Sequence, residues 1–272
     1  MDTVRAPACR AELWPIQPGD AVLAGGTWLY SEPQPHLRRL IDLTSLGWPS
    51  VEVSDDGIDL GATATIAEVS ALSARLATAH PDWTAAPLLQ QCCRALVASP
   101  KIWQTATVGG NVCLSLPAGA MISLATALDG ELTVWRADGQ DYRIPVQDFV
   151  TGASANVLGP NEVLRAVHLP AAALRGRTVM RKLAPSPLGR SAVVVAARRD
   201  ADADGGGVVL SITAATVRPF VFRFAAPPTL EELRDVHASI PAEAWTDDPH
   251  GEPDWRRAMT LLLAGQVCGE LS

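Results

Sequence analysis

Apolar positions along this chain change period several times, and each change predicts an element. Ala21-Val22-Leu23-Ala24 and Arg39-Leu40-Ile41-Asp42-Leu43 are compact apolar runs of strand length. Gly25-Gly26 and a short predicted helix lie between them, so a parallel β-α-β unit with a short connection is expected to about residue 55. Turn signals at Gly47-Trp48-Pro49 and Asp55-Asp56-Gly57 close that section. Residues 58–62 read as a strand leading into a helix. Thr65 and Glu68 have capping-box spacing, Ile66, Val69, Leu72 and Leu76 form one apolar stripe, and Pro81 lies just past the end. Further helices are predicted over 88–98, stopping before Pro100, and over 117–128 with Pro117 in the first turn.

From residue 131 the pattern turns to strands. Residues 131–136 and 140–144 resemble a hairpin around Ala137-Asp138-Gly139. Residues 162–169 alternate like a half-buried strand that stops at Pro170, and 170–177 reads as a linker. Strands are predicted over 179–183, 191–198 and 208–217, the last two joined by the acidic glycine run 202–207. Helices over 229–237 and 254–271 close the pattern. The expected class is α+β, with a larger N-terminal part and a smaller C-terminal one.

Two glycine segments stand out against this pattern: Leu23-Ala24-Gly25-Gly26-Thr27 and Thr105-Ala106-Thr107-Val108-Gly109-Gly110-Asn111. Paired glycines admit φ > 0 and close approach of a ligand to the main chain. Consecutive N–H groups in such turns form anion-binding nests, reinforced by a following helix start. A single Gly-Gly more often marks only a turn. Two of them, both flanked by Thr, point to one diphosphate held from two sides.

Composition narrows the chemistry. Apolar residues make up 48% and charged ones 19% of 272, and the net charge is −7 with no basic stripe, which argues against a nucleic-acid partner. No apolar run reaches the roughly 18–20 residues needed to span a bilayer. The first residues lack the apolar core of a signal peptide, so a cytoplasmic location is expected. Cys9, Cys92, Cys93, Cys113 and Cys268 include no C-x-x-C pair, which argues against an iron–sulfur or zinc site and fits free thiols. His36, His80, His168, His237 and His250 are scattered without ligand spacing, and Glu231-Glu232 and Asp247-Asp248 read as solvated faces. Neither glycine segment is followed by Gly-Lys-Ser/Thr, neither matches G-x-G-x-x-G, and no G-x-S-x-G occurs. A diphosphate cradle without a catalytic cluster suggests a cofactor that carries the chemistry itself.

Ala24-Gly25-Gly26-Thr27 and Ala106-Thr107-Val108-Gly109-Gly110-Asn111 closely resemble the two flavin loops of the FAD-binding subunit of molybdenum hydroxylases, the family of xanthine dehydrogenase and carbon monoxide dehydrogenase. The likeness runs along nearly the whole chain. It continues in Ala98-Ser99-Pro100-Lys101-Ile102, Ala127-Leu128-Asp129-Gly130, Asp148-Phe149-Val150-Thr151-Gly152 and Gly159-Pro160-Asn161-Glu162-Val163-Leu164. Arg181-Lys182-Leu183, Arg190 and Asp254-Trp255-Arg256-Arg257 resemble landmarks of the family's C-terminal domain.

The resemblance implies an FAD-binding domain over 1–170, in subdomains of about 1–56 and 57–170, and a C-terminal flavoprotein domain over 176–272. It implies that Leu23, Ala24, Gly25, Gly26, Thr27, Trp28 and Leu29, with Thr107, Val108, Gly109, Gly110 and Asn111, wrap the FAD diphosphate and ribityl. Leu164 would pack near the isoalloxazine, Lys182 would sit at its edge, and Ala120 stands where the family has a ribityl-binding Asp. By itself Lys182 reads as a surface lysine. Trp28 replaces a frequent Asp, Leu114-Ser115-Leu116-Pro117 replaces a polar run, and Trp103 stands where Arg is common. The implied function is electron transfer from [2Fe–2S] clusters on a small partner to an external acceptor, with molybdopterin on a large partner. A heterotrimer or a dimer of heterotrimers is the implied assembly. An FAD-less structural subunit and a free-standing FAD-dependent reductase are the alternatives.

Overall fold

Three larger sheets organise the chain, each built mainly from a different stretch of it. The computed structural model describes residues 2–186 and 189–272. Thr3–Arg5, Arg39–Asp42 and Asp20–Leu23 pair in that spatial order as a parallel sheet, with Leu40 and Ile41 fully buried in the central strand. The second sheet is antiparallel, in the order Val51–Ser54, Gly57–Gly61, Glu162–Pro170, Glu131–Arg136, Tyr142–Pro145. Its apolar residues share a core with the helices Ile66–Ala79, Pro87–Ala95, Val108–Leu114 and Ala120–Ala127, through Leu60, Val69, Leu72, Leu88, Met121, Leu132 and Val167.

The third sheet is an antiparallel meander of Arg177–Leu183, Val193–Arg199, Val208–Thr213 and Phe220–Phe224. Helices Leu230–Ala238 and Pro253–Gly269 close its own core over Val195, Leu210, Ile212, Leu233 and Val267. Arg198, 2% exposed, fastens this sheet to the preceding helix by donating to Ala127 O at 2.8 Å and Asp129 at 2.5 Å. Burial works against the Asp129 charge, but Arg223 and Arg198 together hold the carboxyl below its ordinary range.

The strongest local signal is realised as expected. Thr65 caps Ile66–Ala79 with both halves of the capping box formed, and Ile66, Val69, Leu72 and Leu76 face inward. Elsewhere tertiary context changes the elements. The predicted helix between the first two strands is a run of turns: Gly26 has φ +67°, and Pro33 and Pro35 deny helical hydrogen bonds. The segment 88–98 stops as a helix at Ala95, and 117–128 becomes helical only from Ala120. The expected linker 170–177 contains the helix Ala171–Arg175, whose alanines favour that conformation and whose Ala173 and Leu174 are buried. Strands Thr3–Arg5, Val51–Ser54 and Phe220–Phe224 are too short for their patterns to decide an element and emerge only from pairing.

Candidate functional site: a cavity between two glycine segments

The first glycine segment leaves the edge strand Asp20–Leu23 of the parallel sheet and immediately turns. Gly25 is there because of space. A Cβ at that position would lie 1.8 Å from the carbonyl oxygen of Thr105, so only a bare backbone permits the two glycine segments to meet. Gly26 is there because of conformation, with φ +67° and Tyr30 packed over it. The resulting turn is closed by Tyr30 N–H on Gly26 O at 2.9 Å. The backbone N–H groups of Gly25, Gly26, Thr27, Trp28 and Leu29, and the Thr27 hydroxyl, have no protein partner among the described residues. Orphan donors in such number mark a place where an acceptor from outside the chain is accommodated.

The second segment is folded differently. It is the N-terminus of the helix Val108–Leu114, with Thr107 as N-cap, and not a loop. Its backbone donors from Val108 to Asn111 are engaged: Val108 N–H on Ala64 O at 2.8 Å, Gly109 N–H on Ala62 O at 2.8 Å, Gly110 N–H on Thr107 Oγ1 at 3.1 Å, and Asn111 N–H on Thr107 O at 2.9 Å. Gly109 is required for contact, since a Cβ would lie 2.6 Å from the Ala62 Cβ. A Cβ on Gly110 would meet nothing beyond Thr107 Oγ1, so this face of the helix opens onto free space. Asn111 Oδ1 accepts from Met121 N–H at 2.8 Å and so positions the next helix, while Nδ2 has no partner among the described residues.

Between the segments lies a cavity of about 690 Å³, of the size of small-molecule and cofactor sites. Leu23, Ala24, Gly25, Gly26, Thr27, Trp28 and Leu29 line it, as do Thr107, Gly109, Gly110, Asn111 and Leu164. Leu164 sits at a register shift between Glu162–Pro170 and Glu131–Arg136, the kind of bulge that re-aims a side chain. Trp28 is 51% exposed at the rim. Val108 and Ala120 are buried in the core and are not part of the lining. Lys182 is exposed on the first strand of the third sheet. Its Nζ donates to Arg94 O at 3.3 Å, at the C-terminus of Pro87–Ala95, outside the lining.

The cavity also recruits residues that local patterns did not single out as site residues: Leu96, Val97, Ala98, Ile102, Leu158, Glu162, Arg190 and His250. Arg190 and His250 belong to the C-terminal part and reach the cavity only through docking of the third sheet. The walls are otherwise mostly apolar. Burial pushes the Cys113 thiol up to about 12, so it stays protonated and serves as an apolar wall. Among the described residues no group of His, Cys, Asp and Glu is arranged to hold a metal ion, and no helix is long and apolar enough to cross a membrane.

A largely apolar cavity with unpaired N–H donors along one wall suits a diphosphate-bearing cofactor. The residues fit such a group: the donors of residues 25–29 match its anion, and the bare face at Gly110 leaves room for it. Residues 8–172 match the family described as the FAD binding domain in molybdopterin dehydrogenase, and the chain belongs to that family. Its cofactor is FAD, and it is a component of an oxidoreductase. Xanthine dehydrogenase 1 of Arabidopsis thaliana is 27% identical over 127 residues, 44% of this chain and 9% of that protein. Xanthine dehydrogenase/oxidase of Gallus gallus is 25% identical over 123 residues, again 44% of this chain and 9% of that protein. The chain thus spans a small part of the curated relatives it matches. Its fold is similar to a chain of the carbon monoxide dehydrogenase of Oligotropha carboxidovorans, with a TM-score of 0.80, 18% identity, and coverage of 98% and 96% of the two chains. A chain of quinoline 2-oxidoreductase from Pseudomonas putida 86 is similar at a TM-score of 0.78 and 18% identity, over 100% of this chain and 96% of that one.

Proposed function

We propose that this chain is the electron-transfer flavin subunit of a multi-subunit molybdenum hydroxylase. It would receive electrons from [2Fe–2S] clusters on a small partner chain, with molybdopterin on a large one, and deliver them to an external acceptor. The proposal includes an FAD-binding domain over 1–170, a C-terminal domain over 176–272, a heterotrimer and a cytoplasmic location. The observation that carries it is the run of unpaired N–H donors from Gly25 to Leu29 facing the cavity in a chain of this family.

When bound, FAD accepts and releases electrons, which none of this chain's side chains does. The protein's part is to hold and insulate. The N–H groups of residues 25–29 and the Thr27 hydroxyl donate to the diphosphate, and Asn111 Nδ2 supplies a further donor. Gly109 and Gly110 admit the cofactor close to the main chain, and Leu164, Leu96 and Leu114 exclude water. Trp28 covers the rim. Val108 and Ala120 support the wall from behind.

A second reading, an FAD-less structural subunit of the same complex, draws on the second segment. Its N–H groups from Val108 to Asn111 are engaged internally, and Cys113, Leu114, Leu116, Ala118 and Gly119 offer the cavity no polar side-chain oxygen or nitrogen. The deciding measurement is an absorbance spectrum of the purified chain, alone and co-expressed with its partners, followed by chromatography of released cofactor. Near-stoichiometric FAD supports the flavin subunit. No flavin in either preparation, even after adding FAD, makes the structural reading the correct one. Failure to form a stable complex on co-expression defeats the assembly.

A further inference from the structure

The ionisable side chains on the cavity lining are few: Cys113, Glu162, Arg190 and His250. Their surroundings differ. Cys113 is pushed up to about 12 by burial. The Glu162 carboxylate is engaged by Tyr142 OH at 2.9 Å, Gly159 N–H at 2.9 Å and Arg136 Nε at 3.3 Å. A guanidinium such as Arg190 keeps its proton throughout. His250 remains, and its imidazole has no hydrogen bond or ion pair among the described residues. Histidine is the side-chain type that gains and loses a proton between pH 5 and 8.

Its backbone is held firmly. His250 N–H donates to Asp248 Oδ1 at 2.8 Å, and Gly251 N–H donates to Asp248 O at 3.0 Å, making a tight turn with His250 inside it. The buried guanidinium of Arg256 clamps that turn from both sides, donating to Gly251 O at 2.8 Å and pairing with Asp248. The same guanidinium donates to Ala192 O at 2.6 Å, two residues beyond Arg190. One buried arginine therefore fixes both stretches of chain that bring a cation-forming residue to the cavity. The charged groups around His250 are Asp247, Asp248 and Arg256 in or beside its turn, with Arg190 near Arg256 and Glu162 elsewhere on the lining.

The following rests on the flavin reading above. Electrons delivered one at a time by iron–sulfur clusters bring no protons, whereas an isoalloxazine reduced by two electrons takes up at least one. An apolar cavity supplies none by itself. We propose that His250 is the proton donor for this cofactor, with Arg190 facing the negative charge that reduction leaves on the ring. The imidazolium of His250 breaks an N–H bond and passes that proton to a ring nitrogen as two electrons arrive from the partner's clusters. The neutral imidazole would then be reprotonated from solvent, and on reoxidation by the acceptor the ring's proton would leave to solvent or go with the electron pair to the acceptor. The diphosphate is provided for by residues 25–29, and adenine and ribityl are uncharged. The ring is the one remaining part of FAD that gives a guanidinium and an imidazole something to act on.

The test is stopped-flow reduction of the FAD-loaded chain by dithionite, a one-electron donor, from pH 6 to 9, for the unsubstituted protein, His250→Gln and His250→Ala. FAD content should be equal in all three. At pH 7 the variants should reduce about tenfold more slowly or worse, at the low end of general-acid contributions. They should lose the pH dependence, and added imidazole should restore His250→Ala. Arg190→Gln should instead lower the midpoint potential, by about 30 mV for each tenfold loss of preference for the reduced cofactor. Variants that bind FAD and reduce with the unsubstituted rate and pH profile overturn the assignment. An unsubstituted chain that binds no FAD overturns the flavin reading itself, and this inference falls with it.

Discussion

The two glycine segments share a Gly-Gly pair flanked by threonine, yet they do opposite things with their backbone. In residues 25–29 the N–H donors are unpaired, and a positive φ at Gly26 turns the chain beside the cavity. In residues 105–111 every N–H from Val108 to Asn111 is engaged by Ala62, Ala64 or Thr107, and the glycines permit close packing. The first segment leaves its donors open to an acceptor from outside the chain, and the second presents a wall and braces its neighbours. The same letters mean a nest in one place and a packed helix start in the other. The difference lies in whether a partner carbonyl is within reach.

That contrast can be broken most severely at Gly25. Gly25→Val drives a side chain into the Thr105 carbonyl and should separate the segments, costing about 3 kcal/mol or more. Urea denaturation should show the loss, and the purified chain should retain no FAD. Gly109→Ala should cost about 1–3 kcal/mol through its contact with Ala62, with cofactor loss following from instability. Wild-type stability with selective FAD loss there would mean that Gly109 serves the ligand directly.

Asn111 separates bracing from binding. Asn111→Ala should cost about 1–3 kcal/mol because Met121 N–H, at a buried helix start, loses its acceptor. Asn111→Asp keeps an acceptor there and should retain most stability while weakening FAD, measured by equilibrium dialysis. The threonines give the smallest and cleanest pair. Thr107→Ala should cost about 1 kcal/mol of stability, because its Oγ1 caps Gly110. Thr27→Ala should leave the melting temperature unchanged and weaken FAD by about fivefold, the equivalent of one ordinary hydrogen bond. Equal behaviour of the two threonines would erase the distinction between the segments.

Where the sequence spoke clearly, a short-range rule was enough. The capping box at Thr65 and Glu68 and the stripe through Leu76 are contained within one helix, and they survive in the fold unchanged. The pairing of Glu131–Arg136 with Tyr142–Pro145 is likewise local. The strand Phe220–Phe224 was not legible, because its place depends on the neighbouring Val208–Thr213. The short helix expected after Gly26 failed for a related reason: the prolines at 33 and 35 and the contact with Thr105 decide that path.

The residues of the first segment, and Thr107, Gly109, Gly110, Asn111 and Leu164 on the second and third walls, were singled out by their letters and by the family resemblance, and they line one cavity. Their division of labour was not. Sequence alone determined where backbone freedom and helix starts occur, because glycine, threonine and proline act on the residues beside them. Tertiary structure decided which N–H groups remain unpaired, and that Val108 and Ala120 are buried behind the lining. It also decided that Arg190 and His250 arrive at the same cavity from another sheet. These depend on which carbonyls and cations are carried in from distant parts of the chain, which no local pattern encodes.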